Sequence, residues 1–266
     1  MRKLVNKHKI DKEVFLEPFL LRSIRGFEEG LLNVNTSFEK YQQELITKAL
    51  QSLPIKDMDV LEVGTQSGIY LKSIAPKKPR ELYGAALFPP LMQQAETLLG
   101  ETKANLGLFN GKMLTYPHNS FDLVFTAGFL QNYADSKAMK KILYDIGNIS
   151  RAFVVIIEEL RTNYLKTDYY RGREPDYFIN HFESMNYKLL GRSHYPTKAT
   201  ELFRDYLMQQ YNATNQQILG CPLSKQALAV AKQWLPYVKK LDGMLGGKDG
   251  ITKLIFKKES SEEVYY

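Results

Sequence analysis

The stretch Asp59-Val60-Leu61-Glu62-Val63-Gly64-Thr65-Gln66-Ser67-Gly68 decides the fold. A short apolar run ends in Gly64, Gly68 follows at close loop spacing, and Ile69 to Ala75 reads as the first turns of a helix closed by Pro76. Strand, glycine loop and helix in that order are how a parallel α/β sheet presents a nucleotide-like ligand. Glycines let the backbone come close, and the helix N-terminus offers unpaired N–H groups. Glu62 sits at the C-terminal end of the strand, where a carboxylate can accept hydrogen bonds from a ligand. The glycines also have a purely structural reading, because a buried βα turn needs them whether or not anything binds.

Outward from this stretch the same unit repeats. Glu81 to Leu87 reads as a second strand, and Pro89-Pro90 opens a helix that runs through Leu98 and Leu99 to Gly100, with proline at the start and glycine at the end. Ala104 to Phe109 gives a third strand. In Tyr116-Pro117-His118-Asn119-Ser120-Phe121-Asp122-Leu123-Val124-Phe125-Thr126, Asn119-Ser120 makes a turn and Phe121 to Thr126 a buried strand. Asp135 or Ser136 caps a helix with Met139, Ile142, Leu143 and Ile146 on one face, ended by Gly147. Ala152 to Ile157 forms the fifth strand, followed by Glu158-Glu159. Strand–helix units in succession predict a doubly wound α/β sheet.

The flanks read differently. Residues 1 to about 50 look helical, with Tyr41, Leu45, Ile46, Leu50 and Leu53 at helical spacing and Pro54 as the stop. Beyond the fifth strand come a helix around Tyr177 to Met185, a strand from Tyr187 to Arg192 and a last strand from Ile251 to Lys257. Between these two strands, Glu201 to Tyr211 and Leu223 to Leu241 read as helices. Leu202, Tyr206, Leu207 and Tyr211 give the first an apolar face; Leu228, Trp234, Leu235, Val238 and Leu241 give the second. The expected organisation is an N-terminal helical cover (1–54), an α/β domain (55–196 with 248–258), a helical cap (197–247) and a tail (259–266).

The E-x-G-x-Q-x-G spacing of Glu62, Gly64, Gln66 and Gly68 resembles the first motif of the class I S-adenosylmethionine-dependent methyltransferases, E/D-x-G-x-G-x-G. The run from Pro117 to Val124 is similar to the P-x-x-S/T-F-D-L-V fourth-strand signature of small members of that superfamily. Within it, LEVGTQSG, FDLVFTAGFLQNYAD and YYRGRE look like the methylase subgroup associated with pseudaminic acid and related glycan-modification loci, which tolerates Asn where Gln66 stands. The resemblance covers roughly residues 55 to 160. It implies a Rossmann-like class I methyltransferase fold, mostly parallel with the last strand antiparallel. It also implies S-adenosylmethionine as cofactor, held by Glu62, Gly64, Gln66, Gly68, Ala86, Asn110, Gly128 and Gln131. Two positions depart from the family pattern. Ala86 stands where an acid usually binds both ribose hydroxyls, and Asn110-Gly111-Lys112-Met113 stands where an acid usually faces the adenine amino group.

Methyl transfer needs a nucleophile held in line with the methyl group, and a base where that nucleophile is a hydroxyl or amine. Asn132 and Tyr133 after the fourth strand, and Glu158 after the fifth, are the candidate catalytic residues. Tyr169, Tyr170, Arg171 and Arg173 are candidates for binding an anionic or sugar acceptor, and equally for pinning a loop to the sheet. Four scattered histidines and one cysteine, Cys221, predict no metal site and exclude an intrachain disulfide. The formal net charge of +7 allows attraction to an anionic partner, but the lysines form no long basic block, so an RNA methyltransferase rests on charge alone. No apolar run has the length of a membrane span, the N-terminus lacks a signal-peptide core, and the expected address is cytoplasmic. The leading expectation is therefore methyl transfer to a small-molecule or glycan-like acceptor. The alternative is a methyltransferase-fold protein that has lost catalysis and serves as a binding or scaffold subunit.

Overall fold

The computed structural model describes residues 14–15, 37–162, 165–166, 171–211 and 223–259. In chain order, α1 (Ser37–Gln51) precedes β1 (Asp59–Val63), α2 (Ile69–Ile74), a 3-10 turn (Ala75–Lys77), β2 (Glu81–Ala86), α3 (Pro89–Leu99), β3 (Asn105–Leu108) and β4 (Phe121–Ala127). A second 3-10 turn (Leu130–Asn132) leads to α4 (Ser136–Ile149), β5 (Ser150–Leu160), the short strands β6 (Leu165–Lys166) and β7 (Arg171–Gly172), and α5 (Pro175–Glu183). The chain closes with β8 (Tyr187–Pro196), α6 (Lys198–Tyr211), α7 (Lys225–Val238), α8 (Asp242–Leu245) and β9 (Gly250–Lys258).

Seven strands form one sheet in the order β3-β2-β1-β4-β5-β9-β8. β1 pairs in parallel with β2 and β4, and β4 with β5, whereas β9 runs antiparallel to both β5 and β8. This is the doubly wound arrangement with one antiparallel strand that the sequence predicts. Val60, Leu123, Phe125, Val155 and Ile157 face α1, α2 and α3 on one side, and Leu61, Val63, Val124, Val154 and Ile156 face the helices on the other. Burial on both faces explains why these strands read as continuous apolar runs instead of alternating ones.

Several boundaries differ from the sequence reading, each for a physical reason. α4 does not stop at Gly147. A Cβ there would lie 2.5 Å from the Met185 methyl, and the Gly147 carbonyl accepts from the Tyr187 hydroxyl at 2.7 Å, so this glycine allows close packing. β5 continues to Leu160 because Glu158 to Leu160 still pair with Gly250 to Thr252 of β9, which puts Glu158 and Glu159 inside the strand. The expected helicity before α1 falls mostly outside the described residues. Asp135 does cap α4, accepting from the N–H groups of Lys137 (2.8 Å) and Ala138 (3.3 Å).

α6, α7 and α8 leave the sheet at the end of β8 and return at the start of β9, which is the C-terminal edge of the parallel strands. Their packing faces include Leu207 and Leu235 as expected and differ at other positions. α6 buries Ala199, Thr200, Leu207 and Met208 and leaves Leu202 and Tyr206 exposed; α7 buries Ala227, Ala231 and Leu235 and exposes Trp234. Two alanines four residues apart let α7 approach Phe38 and Tyr41 of α1 closely, which the larger side chains would prevent.

Buried polar groups key this layer together. Asp242 accepts from the Tyr41 hydroxyl (3.0 Å), the Thr200 N–H (2.9 Å) and the Thr200 hydroxyl (2.5 Å), joining α1, α6 and α8. Burial, and then the bond to Asp242, pushes the Tyr41 phenol up, so it stays a donor. Arg161 joins Glu159 (2.5 Å) to Glu201 of α6 (2.7 Å), and Gln42 of α1 donates to the other Glu159 oxygen at 3.2 Å. Lys253, buried on β9, donates to the Ala49 carbonyl at 3.3 Å and to the Ser52 hydroxyl, closing the C-terminal end of α1. Asp242→Ala leaves three donors unpaired and is expected to cost about 2–3 kcal/mol in urea unfolding, against about 1 kcal/mol for Tyr41→Phe.

Candidate functional site

The candidate site lies where β1, β4 and β5 end. The backbone after β1 is pinned to β2, since the Gly64 and Thr65 N–H groups both donate to the Ala85 carbonyl, at 3.0 and 2.9 Å. Gly64 (φ 84°) and Gly68 (φ 77°) are both left-handed. Gly68 is required by packing: a Cβ would come 3.1 Å from the Ala95 Cα, so α3 can lie against the start of α2. At Gly64 the neighbour is a side chain. A Cβ there would lie 2.1 Å from the Phe129 ring, which rests flat on this glycine.

Around that contact is a polar cluster in a dry setting. Glu62 is 2% exposed, and burial, outweighing the Thr65 hydroxyl beside it, pushes its carboxyl up to about 8. Its Oε2 has no hydrogen-bond partner among the described residues, and neither does Oε1 of Gln131. Tyr70 of α2 has its phenol pushed up by burial, then by Glu62, then by Glu158, so both carboxylates lie near it. Glu158 is 1% exposed and pushed up to about 7 by burial, an effect that the N–H groups of Leu130 and Phe129 partly offset.

The loop after β4 is held from two sides. Glu158 accepts from the N–H groups of Phe129 and Leu130, both at 3.1 Å. Arg173 donates to the Tyr133 carbonyl at 3.2 Å, to Leu130 at 3.4 Å and to Arg171 at 3.1 Å. A buried anion thus binds the loop's donors while a buried cation binds its acceptors. The 3-10 turn that carries Gln131 and Asn132 is thereby held through its own backbone groups.

The other expected site residues are placed as follows. Gln66 is exposed at the loop tip, and Ala86 is fully buried at the end of β2, where its methyl offers no hydrogen bond. Asn110 is exposed and its Oδ1 accepts from the N–H groups of Lys112 (2.9 Å) and Met113 (3.1 Å), within its own loop. Gly128 (φ 62°) donates its N–H to the Ile157 carbonyl at 2.9 Å. Asn132 Nδ2 donates to the Phe129 carbonyl at 2.9 Å, and the fully buried Tyr133 donates its hydroxyl to the Gly111 carbonyl at 2.8 Å. Arg171 and Arg173 are buried, and Tyr169 and Tyr170 lie outside the described residues.

Three contributors escaped the sequence reading. Phe129 stands in the sequence only as part of a motif, Tyr70 only as part of a helix, and Phe15 carries no signal of its own. Val14 accepts from the Ala134 N–H at 2.8 Å, and Phe15 bridges to Tyr133. The Phe15 ring covers Gly111, where a Cβ would come within 2.4 Å of it, and lies 4.5 Å from the Tyr133 ring. No periodicity connects residue 15 to residue 133, so only the folded chain reveals this contact.

Gly64→Ala combines a left-handed backbone with a clash into Phe129, and is expected to destabilise the protein by about 2–4 kcal/mol. The cost should shrink in a Phe129→Ala background, which a double-mutant cycle in urea would read. Additive effects would show that the ring does not rest on this glycine.

Residues 61–145 match the family model described as a methyltransferase domain. A search of curated proteins finds no match to the sequence. Among solved structures, a chain of the Haloferax volcanii complex that holds the Trm112 methyltransferase activator superposes with a TM-score of 0.58 at 12% identity, over 95% of this chain and 98% of that one. An S-adenosylmethionine-dependent methyltransferase from Mesorhizobium loti gives 0.52 at 10% identity, over 82% and 98%. The [4+2]-cyclase SpnF gives 0.54 at 12%, over 80% of each chain. At such identities the likeness carries the fold. No helix among the described residues is long and apolar enough to cross a membrane. Residues 61–145 thus match a methyltransferase domain, and the sheet order with the glycine loop over β1 is that of the class I methyltransferase fold.

Proposed function

We propose that this protein transfers a methyl group from S-adenosylmethionine to a small polar acceptor, a small molecule or a glycan building block, in the cytoplasm. The observation that carries this reading is the pair of buried acceptors without donors, Glu62 Oε2 and Gln131 Oε1, at the ends of β1 and β4 beside the Gly64–Gly68 loop. Buried polar atoms are rarely left unpaired unless a ligand completes them, and an amino-acid ammonium supplies the donors these two lack. The cofactor would be held there by Glu62, Gln131 and the backbone from Gly64 to Gly68, with Ala86, Asn110 and Gly128 along the same edge. When bound, it supplies an electrophilic methyl group on a sulfonium. The glycan side of the reading comes from the LEVGTQSG and YYRGRE stretches.

The chain's own residues then have distinct tasks. Glu158 and Arg173 hold the loop after β4 at a fixed height, so that Gln131 and Asn132 present the same face to every ligand. Asn132 keeps its Oδ1 for an acceptor hydroxyl or amine, while its Nδ2 is committed to Phe129. Tyr133 acts through Gly111 and sets the position of the β3 loop. Helices α6 to α8, within residues 197–247, serve as the cap over the acceptor side.

One observation favours a second reading, in which the protein binds a ligand without transferring a methyl group. Ala86 is a sealed methyl at the position of the ribose acid, and one protein of this fold carries the name of a cyclase. Calorimetric titration with S-adenosylmethionine and S-adenosylhomocysteine, followed by acceptor screening, separates the two.

The pH dependence tests the role of Glu62. Its folded pKa, about 8, lies above the ordinary carboxylate value of 4.5. The native state therefore binds an extra proton in that interval, and the stability this group contributes is full below 4.5 and lost as pH rises through 8. An ammonium-bearing ligand prefers the ionised form, so S-adenosylhomocysteine affinity is expected to increase as pH passes through this window. Glu62→Gln mimics the protonated carboxyl. It should be more stable than the wild type at alkaline pH, bind about 10- to 100-fold more weakly there, and show a flat pH profile. A wild-type affinity that falls or stays level with rising pH would overturn this placement.

A further inference from the structure

A cavity of about 430 Å³ lies away from the glycine loop, among β8, the start of α5 and the chain leaving α8. Its walls carry opposite charges from different elements. Arg161 at the end of β5, Arg192 on β8 and Lys248 before β9 supply the cations, and Glu174 and Asp176 at the start of α5 supply the carboxylates. Arg161 is committed to Glu159 and Glu201. The other four side chains are exposed, and among the described residues none makes a hydrogen bond or ion pair. The positive end of α5 favours the two carboxylates on their wall. His194 also lines the cavity, held below its ordinary pKa chiefly by burial, with Nδ1 against the Thr252 hydroxyl at 2.9 Å. It therefore adds a neutral polar surface at pH 7.

Two poles of opposite sign, facing one space yet unpaired with each other, suit a ligand that carries both an anionic group and an ammonium. The volume falls in the range of small-molecule sites and exceeds what a free amino acid fills. The cavity also adjoins the proposed transfer site. Arg161 donates its N–H to the Arg173 carbonyl at 2.9 Å, Arg173 holds the Leu130 and Tyr133 carbonyls, and Glu174 is the next residue in the chain. Arg161, on the near wall of the cavity, ends β5, two strands and about 10 Å from β1 at the usual spacing, while Arg192 on β8 is four strands away.

We infer that this cavity is the acceptor subsite, and that the acceptor is a sugar-sized zwitterion with its carboxylate or phosphate on Arg192 and Lys248 and its ammonium on Glu174 and Asp176. The inference rests on the methyl-transfer reading, but its test is separate. Four sugars of one scaffold serve as probes in calorimetry with the full chain: glucosamine 6-phosphate, glucose 6-phosphate, glucosamine and glucose. Glucosamine 6-phosphate is expected to bind about tenfold tighter than either singly charged sugar, and glucose weakest. Arg192→Ala with Lys248→Ala should erase the advantage of the phosphate, and Glu174→Gln with Asp176→Asn that of the amine. All four positions are exposed, so the melting temperature should hold. Equal binding of the four sugars, no binding up to about 10 mM, or variants that leave the ranking unchanged would overturn the subsite. S-adenosylhomocysteine titrated in parallel reports on the other reading. If it binds while the sugars fail, only the subsite falls. If the sugar ranking holds without it, the cavity stands as a ligand site and methyl transfer falls.

Discussion

The flat contact between the Phe129 ring and Gly64 sets the geometry of the whole sheet edge. It brings the loop after β4 down onto the loop after β1, so the ends of two adjacent parallel strands form one surface. A ring in that place cannot tolerate a Cβ beneath it, and a residue without one is free to adopt the left-handed backbone that turns β1 toward α2. Packing and conformation therefore demand glycine at the same position. This changes the meaning of the motif. Gly64 is required for the two loops to meet, and any ligand is received by the surface that their meeting creates.

That surface is expensive to maintain. Glu62 and Glu158 are carboxylates in nearly water-free surroundings, and both pay in a raised pKa. Their situations differ in what offsets the burial. Glu158 has two backbone N–H groups and so serves the fold, while Glu62 keeps an oxygen without a donor. Buried groups of this second kind mark sites where function outweighs stability. Arg173 donates to the carbonyls of Leu130, Tyr133 and Arg171, so its guanidinium takes part in holding the loop after β4.

The alternation of strands and helices and the glycine loop are legible in the sequence because they depend on local periodicity and turn chemistry. The proline-opened α3 and the Asp135 cap are cases where one or two residues carry the signal. What stayed hidden depends on partners remote in the chain. Gly147 read as a helix stop because its partners, Met185 and Tyr187, lie on elements formed much later. The faces of α6 and α7 were misjudged because large apolar residues draw attention, whereas the interface was built on Ala227 and Ala231. Phe15 reaches the site through a bridge to Tyr133, and residues that far apart leave no pattern in one sequence. Ala86 reads in the sequence as a missing acid, and the residue is fully buried at the end of β2.

The position of the inserted helices follows from the antiparallel strand. β9 is the only strand of the sheet that runs against β5, so the segment between β8 and β9 must leave and return at the C-terminal edge of the parallel strands. The same edge holds Glu62, Gln131 and the charged cavity, and the helices are tied to it by the Arg161–Glu201 pair and to one another by Asp242. The glycines at the exit, Gly246 and Gly247, have room around them and left-handed backbones that other residues adopt only under strain. Ion pairs on β5 bound this layer at one end and glycines bound it at the other, where Lys248 lines the charged cavity.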